Sequence, residues 1–191
     1  MPVKIILASA SPRRQELLDQ INISYQLLPV NIDETVLENE TAEDYVRRLA
    51  VQKAQAGFQL SATEWPSLGS DTVVVLDQQI LGKPRHQQHG IDMLTSLSGR
   101  EHQVMTAVSV VDGSQTQSAL SISKVRFCAL TDAQILAYWN TNEAADKAGA
   151  YAIQGIAAQF IEYLEGSYSG VMGLPLMETA RLLRRFKIYA I

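Results

Sequence analysis

The stretch Val3-Lys4-Ile5-Ile6-Leu7-Ala8-Ser9-Ala10-Ser11-Pro12-Arg13-Arg14 decides the fold. A short apolar run at 3–8 is bounded by small hydroxyl residues. Apolar periodicity then resumes with helical spacing over 13–21, with Ser11 at the N-cap and Pro12 at the first helical position. That reads as strand, tight loop, helix. Outward from it, residues 25–30 predict a second strand. The Thr41-x-x-Asp44 pattern opens a helix to about Phe58, where Gly57 and the following Ser/Thr/Pro cluster predict its end. The elements of the first third therefore alternate β, α, β, α.

From Ser67 the pattern changes. Thr72-Val73-Val74-Val75-Leu76, the polar Asp77-Gln78-Gln79 and then Ile80-Leu81 predict a hairpin that stops at Gly82-Lys83-Pro84, since Pro84 disfavours helix at Lys83. Residues 86–97 carry a weak helical pattern interrupted by Gly90. Residues 103–111 and 118–127 are long strand patterns joined across Asp112-Gly113, which implies antiparallel pairing. A helix capped by Thr131 to about Tyr138, a last strand at 159–164, and a closing helix to Phe186 with Pro175 at its first position complete the chain. With no repeat, low-complexity tract or linker, residues 1–191 read as one α/β domain with two lobes.

The 191 residues are enough to bury a core, and 47% hydrophobic and 19% charged residues place the chain among ordinary globular proteins. Sixteen Lys and Arg against 20 Asp and Glu give a net charge of −4, the wrong sign for a surface that grips long nucleic acid or an anionic membrane. No apolar stretch approaches the ~20 residues of a membrane span. The lone Cys128 cannot form an intrachain disulfide and the N-terminus has no secretory pattern, so a reducing, cytoplasmic setting is expected.

Three features fit poorly with a purely structural role. Arg13 and Arg14 occupy the first turn of a helix, where the macrodipole disfavours cations by a few tenths to ~1 kcal/mol each; a bound anion would reverse that sign. Hydroxyls of Ser9 and Ser11, free N–H groups at the helix start and guanidinium forks together describe a phosphate cradle, though no Walker loop is present. Lys53 falls inside the apolar stripe Val46, Leu49, Ala50, Ala54 and Gly57, so it either snorkels to solvent or reaches a polar cleft, whereas Arg47 and Arg48 lie off the stripe and are expected to be solvated. Asp71 begins a Val-rich strand, where an unpaired carboxylate would cost several kcal/mol, so a cation should face it. Asp33-Glu34 and Lys83 gain meaning only by converging with these. His86-x-x-His89 lacks a third metal ligand nearby and reads as a solvated helix face, and Cys128 reads as a small core hydrophobe.

The blocks Ser9-Ala-Ser-Pro-Arg-Arg14, Asp33-Glu34-Thr35, Leu49-Ala-Val-Gln-Lys-Ala54, Gly69-Ser-Asp-Thr-Val73, Gly82-Lys-Pro84, Ser98-Gly-x-x-His102 and Gly166-Ser-Tyr-Ser-Gly-Val-Met-Gly-Leu-Pro175 occur in this order along the whole chain. Together they resemble the Maf family of nucleoside triphosphate pyrophosphatases. The resemblance implies an elongated mixed sheet with flanking helices, two lobes around a nucleotide-binding cleft of the Maf/ITPase-like kind, and usually a homodimer. It also implies hydrolysis of a nucleoside triphosphate to monophosphate and pyrophosphate with a divalent cation, and an association with restraint of septum formation. Arg13, Thr72 and Gln154 are similar to the dTTP/UTP pyrophosphatase subgroup. A sister subgroup acting on 7-methyl-GTP would carry an aromatic, Gln and Glu at those three places. Residues 85–91 depart from the family's acidic, alanine-containing helix start.

On that resemblance Ser9, Arg14, Lys53 and Lys83 would hold phosphates, Arg13 would reach both phosphate and base, and Thr72 and Gln154 would bear on the base. Asp71 would activate water, with Glu34 and Asp71 holding Mg²⁺ or Mn²⁺. The substrates would be dTTP, UTP and modified pyrimidine nucleotides. Two rivals are a non-catalytic nucleotide-binding regulator of septum formation, which would have no need of the two acids, and a nucleic-acid-binding domain, disfavoured because the notable cations form no single stripe.

Overall fold

The computed structural model describes residues 5–190; Val3 and Lys4 of the first predicted strand lie outside them. The first elements are β1 (Ile5–Leu7), α1 (Pro12–Gln20), β2 (Tyr25–Leu27) and α2 (Ala42–Leu60). They are followed by β3 (Ser67–Leu76), β4 (Gln79–Leu81), α3 (Gln87–Leu97), β5 (Glu101–Val111) and β6 (Thr116–Phe127). The chain closes with α4 (Asp132–Trp139), β7 (Ile161–Glu165), α5 (Tyr168–Met172) and α6 (Leu176–Arg185). The seven strands form one mixed sheet in the order β2-β1-β3-β5-β6-β7, with β4 also paired to β3. Strand β1 runs parallel to β2 and β3, and the remaining pairs are antiparallel.

The ladder on β3 explains where a cleft can open. Strand β1 pairs with Ser67 and Leu68, and β4 pairs with Val74 to Leu76 on the same edge. Between these two partners, Gly69 to Val73 are laddered only to β5 on the other side. Functional residues gather where neighbouring strands diverge in this way, because backbone and side chains there have no sheet neighbour to cover them.

Alternation on β3 and β5 sets the layers. Val73, Val75, Met105 and Ala107 face α2, where they pack with Tyr45, Val46, Leu49 and Ala50. On the opposite face Leu68, Val108 and Val110 join a cluster with α1 and α6, whereas Val74, Leu76 and Val104 join a second cluster with α3 and α4. The residues between these apolar ends are Ser70, Thr72 and Thr106, all polar. The two lobes expected from the pattern are thus two cores on one sheet face, separated by a hydroxyl-lined strip.

Two glycines let α2 sit directly on the sheet. A Cβ at Gly69 would come within 2.4 Å of both the Ala50 carbonyl oxygen and the Ala54 nitrogen, and one at Gly57 would meet Ser67 Oγ at 2.5 Å and Ala8 Cβ at 2.7 Å. Gly57 therefore does not stop the helix, as its composition suggested; it is a packing contact, and α2 continues to Leu60. Thr41 caps its start by accepting from the Asp44 N–H at 3.1 Å.

Other boundaries also differ from expectation. Strand β2 ends at Leu27 instead of residue 30, because Leu28 makes the last bond to β1 and Pro29 has no N–H to continue the ladder. Pro175 is the N-cap of α6 and not its first helical residue, since its carbonyl already accepts from Thr179 at 2.8 Å. The last strand begins at Ile161, residues 156–160 being a 3₁₀ turn. The short helix α5 had no counterpart in the sequence pattern. In the departing segment 85–91, His86 caps α3 with Nδ1 accepting from the His89 N–H, and Gly90 is required by α4: a Cβ there would lie 1.9 Å from Trp139. No helix among the described residues is long and apolar enough to cross a membrane.

Candidate active site

A cleft of about 890 Å³ opens beside the one-sided segment of β3. Its lining includes Ser9, Arg13 and Arg14 from the start of α1, Glu34 from the loop after β2, and Lys53 from α2. Asp71 and Thr72 come from β3, Lys83 from the turn after β4, and Gln154 from the segment before β7. These residues thus reach one cleft, although the four cations come from three separate parts of the chain.

At the centre, Lys53 Nζ lies 2.7 Å from Asp71 Oδ1 and 2.6 Å from Glu34 Oε1. The Gly69 contact produces this pairing, since it seats Ala50 and Ala54 on β3 and turns the intervening Lys53 toward Asp71. Lys53 does not snorkel; its side chain is 12% exposed. The two carboxylates differ in environment. Asp71 is 11% exposed at its side chain and burial pushes its pKa above the usual value, despite the opposing charges of Lys53 and Arg14. Glu34 is 50% exposed; burial also raises it, but the Lys53 hydrogen bond and charge outweigh this and hold it below its ordinary value. Two acids shifted in opposite directions therefore share one ammonium.

Glu34 is delivered by a loop that α2 itself ties down. Tyr45 donates its hydroxyl proton to the Glu34 carbonyl at 2.9 Å, and burial beside Asp71 and Glu34 pushes its pKa up to about 12. Arg48 donates to both Glu40 carboxylate oxygens, at 2.6 and 2.7 Å, and to the Thr35 carbonyl at 3.0 Å. Arg48 was expected to be solvated; instead it clamps the loop carrying Glu34, and its helical position alone could not show a partner eight residues upstream. Asp33, by contrast, turns away from the cleft and accepts from the Thr35 N–H at 2.9 Å.

The α1 end is pre-organised. Arg14 donates from Nε to the Gly173 carbonyl at 2.9 Å, from Nη1 to Ser9 Oγ at 3.1 Å and from Nη2 to Thr72 Oγ1 at 3.5 Å. Gly173 follows α5 with φ of 120°, a conformation that favours glycine, and Ser70 Oγ also lies 3.0 Å from its carbonyl. Thr106 Oγ1 is 2.8 Å from the Gly170 carbonyl and 2.9 Å from Thr72 Oγ1. A hydroxyl has one proton and a carbonyl only accepts, so Thr106 serves Gly170 while Thr72 donates to Thr106 and accepts from Arg14. The Ser11 side chain makes no capping bond, which leaves the first turn of α1 open to the cleft.

Arg13 differs from Arg14. Its Nε is buried without a hydrogen-bond partner among the described residues, and burial lowers its pKa while Asp146 acts in the opposite sense. An unpaired buried guanidinium nitrogen at a cleft wall calls for an acceptor. Lys83 and Gln154 are both exposed in the cleft. Sequence reasoning missed Arg48, Tyr45, the Gly173 carbonyl and Glu143, which lines the same cleft; only Gly173, in a segment with five glycine and serine residues before Pro175, carried a local signal. His86 and His89 serve the α3 cap, and no group of three metal-ligating side chains occurs among the described residues.

A mixed sheet with a polycationic cleft and two carboxylates sharing one lysine beside an interrupted strand edge defines an α/β protein with a charged cleft. A family model described as "Maf-like protein" matches residues 4–186, and the chain belongs to that family. It is 53% identical over 187 residues to the dTTP/UTP pyrophosphatase of Pseudoalteromonas atlantica, covering 96% of this chain and 97% of that one. It is 46% identical over 192 residues to the dTTP/UTP pyrophosphatase of Hydrogenovibrio crunogenus, covering all of both chains. The Ham1 protein of Staphylococcus aureus has a solved structure that aligns over 96% of this chain and 97% of its own, with a TM-score of 0.53 and 14% identity, a likeness of fold alone.

Proposed function

We propose that this protein is a nucleoside triphosphate pyrophosphatase that hydrolyses dTTP and UTP, together with modified pyrimidine nucleotides, to the monophosphate and pyrophosphate. The observation that carries the reading is the Lys53 bridge between Asp71 and Glu34 within a cleft that also gathers Arg13, Arg14 and Lys83. Relatives of near-equal length, about half identical, bear that activity as their name.

Arg14, Lys53 and Lys83 would neutralise the triphosphate, Ser9 and the first turn of α1 would add neutral donors, and the orphaned Nε of Arg13 would find its acceptor on the substrate. Asp71 would accept a proton from the water whose oxygen bonds to the α-phosphorus as the α–β bridging bond breaks and pyrophosphate departs. Burial raises its proton affinity above the ordinary carboxylate value, which strengthens it as a base. Gln154, able both to donate and to accept, would read the neutral edge of a pyrimidine.

A divalent cation fits the donor set. Asp71 and Glu34 each commit one oxygen to Lys53, leaving the other for a hard cation, and with no third carboxylate or histidine clustered there the remaining ligands would be phosphate and water. Bound Mg²⁺ or Mn²⁺ would supply charge neutralisation at the phosphates. A homodimer and a cytoplasmic, reducing location, consistent with the single free Cys128, complete the reading. Pyrophosphate release from a panel of nucleoside triphosphates tests it: dTTP and UTP should be turned over well ahead of purine nucleotides, and release from none of them would overturn it.

A further inference from the structure

Gln154 sits in a segment with little regular structure, so something must fix it. The turn Ala152–Gly155 is closed by the Gly155 N–H donating to the Ala152 carbonyl at 3.1 Å. It is followed at once by the 3₁₀ turn Ile156–Phe160, whose N-cap, Gly155, has no side chain to accept from the first N–H groups. Glu143 supplies the missing acceptor from outside: Oε2 accepts from the Ile156 N–H at 2.8 Å and Oε1 from the Ala157 N–H at 3.3 Å. The same carboxylate accepts from the buried Tyr138 hydroxyl at 2.9 Å, which anchors it to the α3–α4 core.

The glycine is explained by this contact. A Cβ at Gly155 would fall 2.1 Å from Glu143 Oε2 and 2.4 Å from its Cδ, so the carboxylate occupies the space a side chain would need. Gln154-Gly155 is thus a pair: one residue presents an amide to the cleft, and the next is bare so that Glu143 can hold the turn from behind.

We propose that Glu143 is the positioning residue for base selection, holding the Gln154 amide through a carboxylate cap on the following turn, with Tyr138 orienting that carboxylate. The inference rests on the reading of Gln154 as the base-contacting group. A carboxylate accepting two backbone N–H groups and a phenol holds one geometry; a neutral amide at the same place would have to present an N–H₂ toward a donor.

The experiment compares Glu143→Gln, Gln154→Ala and the double variant in the full chain. It measures KM and kcat for UTP and, as a base-free probe of the phosphate end, competitive inhibition by inorganic tripolyphosphate. Glu143→Gln should raise KM for UTP about tenfold with kcat changed far less, as loss of a charge-assisted hydrogen bond implies. The tripolyphosphate inhibition constant should stay unchanged, and the double variant should be no worse than Gln154→Ala alone. Tyr138→Phe should give a smaller rise in the same direction. A wild-type KM in Glu143→Gln, additive losses, or equal weakening of UTP and tripolyphosphate would overturn the proposal. If Gln154→Ala itself leaves KM for UTP unchanged, the base-reading role of Gln154 falls first, and with it the premise.

Discussion

The two ends of the cleft are built by different means. The proposed phosphate end is made of regular elements: α2 seated on β3 through Gly69, the start of α1, and the strip Ser70, Thr72 and Thr106 between two apolar cores. Its polar groups are closed into a network before any ligand arrives, with Lys53 bridging two acids and Arg14 holding three acceptors. The proposed base end is made of turns, in which Gln154 faces the cleft without such a network beside the unpaired Nε of Arg13 from the first turn of α1, and order is imported from Glu143, Tyr138 and His102. The difference suits their tasks. Chemistry at phosphorus needs fixed charges, which cost little reorganisation at the moment of reaction. Discrimination between bases needs a few hydrogen-bonding groups that alternative sequences can exchange without disturbing the sheet.

The sharpest way to break this division is to remove the base and ask whether binding survives. Asp71→Asn keeps shape and volume but cannot accept the proton, so pyrophosphate release should fall about 10³-fold, within the span of general-base effects. Calorimetric binding of UTP should persist. Wild-type turnover would remove Asp71 from the reaction, and loss of binding together with turnover would mean that Asp71 is chiefly a structural partner of Lys53.

The wall behind the base end makes a second prediction. His102 is 2% exposed, its Nε2 lies 2.8 Å from the Tyr151 hydroxyl, its ring is in edge contact with Phe127 and Tyr151, and burial pushes its pKa down to about 4. The unfolded chain takes up a proton at this residue near pH 6.5, whereas the folded chain resists until about pH 4. Stability contributed by the neutral ring is therefore intact above pH 6.5 and lost as pH falls through that window, by about 3 kcal/mol in total. Urea unfolding of wild type and His102→Gln between pH 7 and pH 4 checks it: the variant should have the shallower slope, and identical slopes would refute the assignment.

Legibility followed the same division. The strands, the β3–β4 hairpin and the body of α2 were readable because alternation and helical periodicity are local, and Lys53 and Asp71 were readable because each violates its own element's pattern. Gly57 and Gly90 were misread as a stop and a weakness because their reasons, Ala8 with Ser67 in one case and Trp139 in the other, lie far away in sequence. Glu143 carried no local signal at all: it is a polar residue in a turn, and its meaning comes from a glycine twelve positions later. Helix α5 escaped notice because five residues between Ser167 and Gly173 have too little periodicity, yet its C-cap supplies the carbonyl that fixes Arg14.

The close seat of α2 gives a third test, at the phosphate end. Gly69→Ala places a methyl 2.4 Å from backbone atoms of Ala50 and Ala54, which cannot rotate aside. The helix must lift, at a cost of about 2 kcal/mol, lowering Tm by about 6 °C for a chain of this size. Because the lift separates Lys53 from Asp71, kcat should fall more than stability alone explains. A stable variant with normal kcat would show that the Lys53–Asp71 spacing tolerates movement.

The smallest expected effect is the most selective. Gln154→Glu retains size but replaces a group that donates and accepts with one that only accepts, and it adds a negative charge beside a polyanion. For UTP and dTTP, kcat/KM should fall about tenfold, the order expected when one polar contact with the substrate is left unmet. The melting temperature should hardly move, because Gln154 is exposed and takes no part in the core. A cationic base should suffer less than a neutral one, since the carboxylate now faces a positive charge; 7-methyl-GTP compared with GTP isolates that contribution. An unchanged ranking of nucleotides would disconnect Gln154 from the base, whereas a uniform loss for all of them would locate its influence at the phosphates and erase the distinction between the two ends.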